Sequence, residues 1–123
     1  MPFASIRLVT DDVDRLVAFY ERLTGEVAAR PAPVFAQLGG PGAALAIAST
    51  QTVAMLGGAV EPGANRSVIV EFEVADVDAE LARLQPDPQD VVLPPSTMPW
   101  GNRSALLRDP DGNVVNLFSR PPA

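Results

Sequence analysis

The sequence predicts an α+β fold built from two βαβββ modules. Three observations carry this. The chain contains a weak internal repeat, each copy passes from two-residue to helical periodicity, and each ends in a strand–turn–strand pattern. SIRLVTDDVDRLVAFYERL, from Ser5, aligns with IVEFEVADVDAELARL, from Ile69, at a shift of sixty-four positions. That shift superposes Asp12-Val13-Asp14 on Asp76-Val77-Asp78. GGPGAALAIAS, from Gly39, lies over DPDGNVVNLFS, from Asp109, at a shift of seventy, and Gly42 then meets Gly112 and Ser49 meets Ser119.

In the first copy, Ile6 and Leu8 alternate with Ser5 and Arg7, so residues 3–9 read as a strand with one buried face. Val13, Leu16, Val17, Tyr20 and Leu23 then share one helical stripe. Asp11 or Asp12 is its N-cap, because a carboxylate accepts from the unpaired first-turn N–H groups, and Gly25 stops it. Strands follow at 26–30, 33–38 and 43–49, the last two joined by the GGPG turn. GGPG lacks the spacing and the Lys of a phosphate loop. The segment TQTVAMLGGAVEPGAN, Thr50–Asn65, is rich in small and turn residues and reads as a link between modules or a flap over a site.

The second copy repeats the plan. Val70, Phe72 and Val74 alternate with Ile69, Glu71 and Glu73 over a strand at 67–74. Val77, Leu81 and Leu84 form the helical stripe, capped by Asp76 and stopped by Pro86. Strands follow at 90–94, 103–108 and 113–119, with a Pro-rich loop, PPSTMPWGN, before the second of them. Asp109 and Asp111 suit turn positions and do not form a carboxylate pair. The whole is one domain over residues 1–123, with module 1 at 1–50, a linker at 51–66 and module 2 at 67–123.

Composition narrows the chemistry. The 123 residues include no cysteine and no histidine. Disulfides, thiol chemistry, Cys/His zinc sites and any histidine base are therefore excluded. The net charge is −6, and all nine cations are arginines. An acidic chain without a basic run is not expected to bind nucleic acid. No apolar run approaches the roughly 20 residues that span a bilayer, so no membrane partner is expected. The N-terminus shows no secretory signal, and the expected location is cytoplasmic.

DDVDRLVAFYERLTG, VEFEVADVDAELARL and WGNRSALLRDPDGNVVNLFSRP together resemble the vicinal oxygen chelate superfamily of glyoxalases, bleomycin-resistance proteins and extradiol dioxygenases. The FY-x-x-L-x-G helix end and the DPDGN turn are the most specific parts. The resemblance implies that each module curls its mixed sheet around a cleft, with its helix on the outer face. Ile6, Leu8, Val70, Phe72, Val74, Val115 and Leu117 would then face the helices. Ser5, Arg7, Val9, Ile69, Glu71, Glu73, Val114, Asn116 and Phe118 would face the cleft.

The metal enzymes of this family hold their ion at four strand positions, which fall here on Ser5, Ala46, Ile69 and Asn116. A hydroxyl, a methyl, a branched alkyl and a neutral amide cannot hold a divalent ion against water. A one-residue misalignment does not help, because adjacent strand residues face opposite sides. The chain is thus expected to bind no metal and no other cofactor.

The implied relative is the bleomycin-resistance type, a metal-free homodimer that sequesters an antibiotic or a hydrophobic metabolite. Arg7, Phe35, Glu71, Trp100, Arg103, Asn116 and Phe118 are the candidate ligand-binding residues, and no catalytic residue is assigned. Trp100 is an aromatic wall for a planar ligand, or a core or dimer-interface residue. Phe35 is a second aromatic candidate whose face VFAQL leaves open. Arg7 and Glu71 occupy equivalent positions and read as ligand contacts or as an ion pair. Arg103 reads as a holder of loop carbonyls or a ligand contact, and the Asn116 amide can orient a ligand. Two alternatives stand beside this reading. One is a metal-free lyase or isomerase with Glu71 or Glu73 as base; the other is a vestigial module that only pairs with another chain.

Overall fold

The strand registers repeat between the two halves of the chain, which turns the weak repeat into a physical one. The computed structural model describes residues 1–40, 42–54 and 56–122. Pro41 of the GGPG turn and Met55 of the expected link lie outside the described residues. The chain divides into two units, Met1–Ala64 and Asn65–Ala123.

The first unit contains β1 (Ser5–Thr10), α1 (Val13–Thr24), β2 (Ala29–Ala32), β3 (Phe35–Gly39), β4 (Ala44–Ser49) and a short helix, α2 (Thr50–Ala54). Its strands lie in the order β1-β4-β3-β2. β1 runs parallel to β4, and the other pairs are antiparallel. The second unit contains β5 (Ile69–Glu73), α3 (Val77–Leu84), β6 (Val91–Thr97), β7 (Arg103–Arg108) and β8 (Val114–Ser119), with sheet order β5-β8-β7-β6. Again the first strand is parallel to the last and the rest are antiparallel. The pairing of Arg7 with Ala46 recurs as Glu71 with Asn116, and Ala46 with Gln37 recurs as Asn116 with Leu106. Both units are therefore mixed-sheet βαβββ modules, as the periodicity predicts.

The helices begin and end where side-chain chemistry dictates. Asp12, not Asp11, caps α1 and accepts from the Arg15 N–H at 3.1 Å. Gly25 ends it in the left-handed conformation, φ 74°. Asp76 caps α3 and accepts from the Ala79 N–H at 3.0 Å. Gln85 ends α3 with φ 46°, and Pro86 then prevents continuation. The stripe Val13, Leu16, Val17, Tyr20 and Leu23 is buried and packs α1 on β3 and β4, whose Ala36, Leu38, Leu45 and Ile47 are buried, as is Leu8 of β1. In the second unit α3 packs on β6, β7 and β8, and Val77, Leu84, Ala105, Leu107, Val115 and Leu117 are buried. Each core rests on apolar area removed from water.

Three expectations need correcting. PPST is not loop: β6 runs through Pro94 and Pro95 to Thr97. It is an edge strand with two register shifts, so a proline lacking an N–H removes no essential ladder bond. Thr50–Ala54 forms a helical turn that buries Val53, so the link begins as part of the first unit. Ile6, expected against the helix, is 43% exposed, because it lies near the open start of an edge strand.

The β7–β8 turn is built by one side chain. Asp109 Oδ1 accepts from the backbone N–H groups of Asp111 and Asn113, both at 2.9 Å, and Oδ2 accepts from Asn113 Nδ2 at 2.8 Å. The carboxylate is buried and works as turn scaffold. Asn65 Nδ2 donates to Asn113 Oδ1 at 3.1 Å and ties the start of the unit to this turn.

Candidate functional site

Alternation along the strands gives each sheet one face against its helix and one face away from it. In the first unit the face away from α1 has three rows. They are Ser5–Ala44–Gly39, Arg7–Ala46–Gln37 and Val9–Ala48–Phe35. The Arg7 guanidinium lies over the Phe35 ring, 5.9 Å from its centroid. Register therefore settles the face of Phe35, which its own sequence left open.

The corresponding rows of the second unit are Ile69–Val114–Arg108, Glu71–Asn116–Leu106 and Glu73–Phe118–Ser104. Asn116 Nδ2 donates to Glu71 Oε2 at 2.8 Å. The Asn116 Oδ1 atom is buried and has no hydrogen-bond partner among the described residues. Beyond the strand end, Arg120 donates to Glu73 at 3.1 Å and lies over the Phe118 ring, 5.6 Å from its centroid.

The candidate residues fall into separate groups. Arg7 and Phe35 come together on the first unit's face; Glu71, Asn116 and Phe118 come together on the second's. Arg103 does not join them. Its row leads to Ser119, on the same side as Leu117 and Val115, and it makes two bonds to Asp78 of α3, at 2.7 and 2.9 Å. That contact raises the Arg103 pKa and holds the Asp78 carboxyl below its usual value, the side-chain hydrogen bond being the largest cause in each case. Trp100 stands in a tight turn closed by Gly101 N–H to Met98 C=O and Met98 N–H to Asn102 C=O, at 2.9 and 2.7 Å. Its side chain is exposed, and Gly101 adopts φ 99°.

Gln37 and Arg120 carry no signal of their own, although each lies two residues from a candidate aromatic, Gln37 within β3 and Arg120 just past the end of β8. Period two from Phe35 and from Phe118 was the available signal. Asn65 had no comparable signal, because its partner is forty-eight positions away.

The donor set does not fit a divalent metal. Ser5 and Ala46 share a face in the first unit, as Ile69 and Asn116 do in the second, and none offers an anionic or imidazole donor. Among the described residues no group of three or more Asp, Glu, His or Cys stands close enough to hold an ion. The groups present instead suit reversible binding: a cation stacked on a ring, a carboxylate oriented by an amide, and apolar surface beside each.

The model of the Glyoxalase/Bleomycin resistance protein/Dioxygenase superfamily matches residues 3–117. No curated protein matches the chain. Among solved structures, a glyoxalase/bleomycin resistance protein/dioxygenase from Nocardioides is 29% identical, with TM-score 0.75, over 98% of this chain and 85% of that one. A glyoxalase-related enzyme from Fulvimarina pelagi has TM-score 0.80 at 20% identity, over 96% and 87%. A lactoylglutathione lyase from Agrobacterium tumefaciens has TM-score 0.70 at 22% identity, over 95% and 92%. The last two likenesses show the fold alone. With the repeated βαβββ registers and a family match over nearly its whole length, the chain belongs to the glyoxalase/bleomycin resistance protein/dioxygenase superfamily.

Proposed function

We propose that this protein is a metal-independent small-molecule-binding protein. Each unit offers its own candidate binding face, Arg7 and Phe35 on the first and Glu71, Asn116 and Phe118 on the second. One observation carries the reading. The four strand positions at which the resemblance puts the metal ligands carry Ser5, Ala46, Ile69 and Asn116, and the Asn116 amide donates to Glu71. Sequestration of an antibiotic or a hydrophobic metabolite by a cytoplasmic homodimer follows as the biological role, with Trp100 as a further aromatic contact.

The test pairs elemental analysis with a thermal-shift screen of antibiotics and aromatic metabolites, run with and without EDTA. Substoichiometric metal, and compounds that raise the melting temperature equally in both buffers, are the expected results. A stoichiometric divalent ion whose removal abolishes binding would overturn the metal-free reading. If no compound in the broad screen produces a shift, the binding reading falls.

The Glu71–Asn116 contact favours one second reading, a metal-free lyase or isomerase. The amide holds one carboxylate oxygen and leaves the other available as a base. Turnover that Glu71→Gln abolishes without loss of fold would support it. Turnover unchanged in that variant would remove Glu71 from the chemistry.

A further inference from the structure

Two arginine–aromatic stacks lie on or beside the sheet faces, and they differ in one respect. Arg120 lies over Phe118 and donates to Glu73, so its charge is met inside the unit. Arg7 lies over Phe35, and no carboxylate or carbonyl among the described residues accepts from it.

The first stack exists because the strand between its partners is small. Arg7 is on β1 and Phe35 on β3, with β4 between them. Two strand spacings and a two-residue offset along the strands set them about 12 Å apart at the backbone. The intervening residues are Ala46 and Ala48, whose methyls let the two long side chains converge above them. In the second unit the matching central positions carry Asn116 and Phe118, which occupy that space, and Glu71 is hydrogen-bonded to Asn116. The Arg–Phe bridge is therefore a feature of the first unit and not of the shared module plan.

The Phe35 ring, 5.9 Å from the guanidinium carbon, takes none of the arginine's hydrogen-bond donors. Five N–H groups lie in the plane, and that edge matches the two oxygens of a carboxylate. The ring's attraction for the cation biases the guanidinium toward this position, which lowers the ordering cost of binding. Phe35 is half-buried and offers apolar ring surface beside the charge. Gln37, exposed across Ala46 from Arg7, adds an amide in the same row.

We infer that this face binds a planar aromatic carboxylate, with Arg7 holding the carboxylate and Phe35 lying against the ring. The inference rests on the small-molecule-binding reading and names the ligand class at that site.

The test compares 2-naphthoate with the uncharged 2-naphthamide, by calorimetry and by amide NMR shifts of the full-length chain in EDTA-treated, low-salt buffer. Naphthoate is expected to bind about tenfold more tightly, which is the scale of one charge-assisted hydrogen bond. Shifts should concentrate on β1 and β3. Arg7→Gln should bring the two affinities within about twofold, and Arg7→Lys should restore only part of the preference, since an ammonium lacks the planar fork. Phe35→Leu should weaken both compounds. In the unmodified protein, added salt should weaken naphthoate and leave naphthamide unchanged, a reading independent of whether any variant folds.

Equal affinity for the two compounds, or a preference that survives Arg7→Gln, overturns the inference and leaves small-molecule binding intact. If neither compound binds, the inference falls alone, because the broader thermal-shift screen decides the binding reading separately.

Discussion

Asp109→Ala is expected to destabilise the second unit by about 3–4 kcal/mol, at the upper end of single substitutions. Asp109 is 4% exposed, and its carboxylate accepts from two backbone N–H groups and from Asn113 Nδ2. Hydrogen bonds to a charged acceptor are worth about 1.5–3 kcal/mol each, but three that share one carboxylate do not add in full. Two of the donors belong to Asn113, itself 7% exposed, and each orphaned donor there costs about 1–3 kcal/mol. The Asp111 N–H is only part-buried and reaches water more readily. Asp109→Asn should cost about 1–2 kcal/mol, because its amide oxygen keeps both backbone bonds while the bond to Asn113 Nδ2 is lost. Urea unfolding followed by far-UV circular dichroism measures both, with unchanged m-values as the check on two-state behaviour. A loss below about 1 kcal/mol for Asp109→Ala, or equal losses for the two variants, would refute the assigned role of this carboxylate.

Two further outcomes follow from pairs in the same unit. Asn116→Asp replaces the donor to Glu71 with a second carboxylate, so stability at neutral pH should fall by about 1 kcal/mol and recover as the pH is lowered and one of the pair protonates; urea midpoints at several pH values measure this. Arg103 holds the Asp78 carboxyl below its usual 3.8, so the stabilisation is present above that value and is lost as pH falls through the lower folded value; in Arg103→Met, an NMR titration of the Asp78 carboxyl should return to the ordinary carboxylate value.

Much of the fold was legible because it depends on local pattern. The alternation Val70-Glu71-Phe72-Glu73 and the stripe Val13, Leu16, Val17, Tyr20, Leu23 each declare one buried face within a few residues. The caps Asp12 and Asp76 act three residues away. The DPDGN turn closes within five residues, so reading it as scaffold needed no distant partner. PPST misled for a local reason as well: prolines mark a loop unless the strand is at an edge, and only the sheet order reveals an edge.

The candidate site was legible as a set of residues and not as a set of contacts. Repeat alignment gave Arg7 and Glu71 equivalent positions in the module plan, and likewise Ala46 and Asn116. It gave no means of knowing that Asn116 would donate to Glu71 from forty-five positions away, or that Arg103 would reach Asp78 on the helix side from twenty-five. Period two and period 3.6 follow from backbone geometry and appear in any short window, so module plan and helix faces could be read from the order of residues. Which side chain meets which depends on strand order and register. Those are set when distant segments close into a sheet, and a shift of one residue would send Arg7, Phe35 and Asn116 to the opposite face.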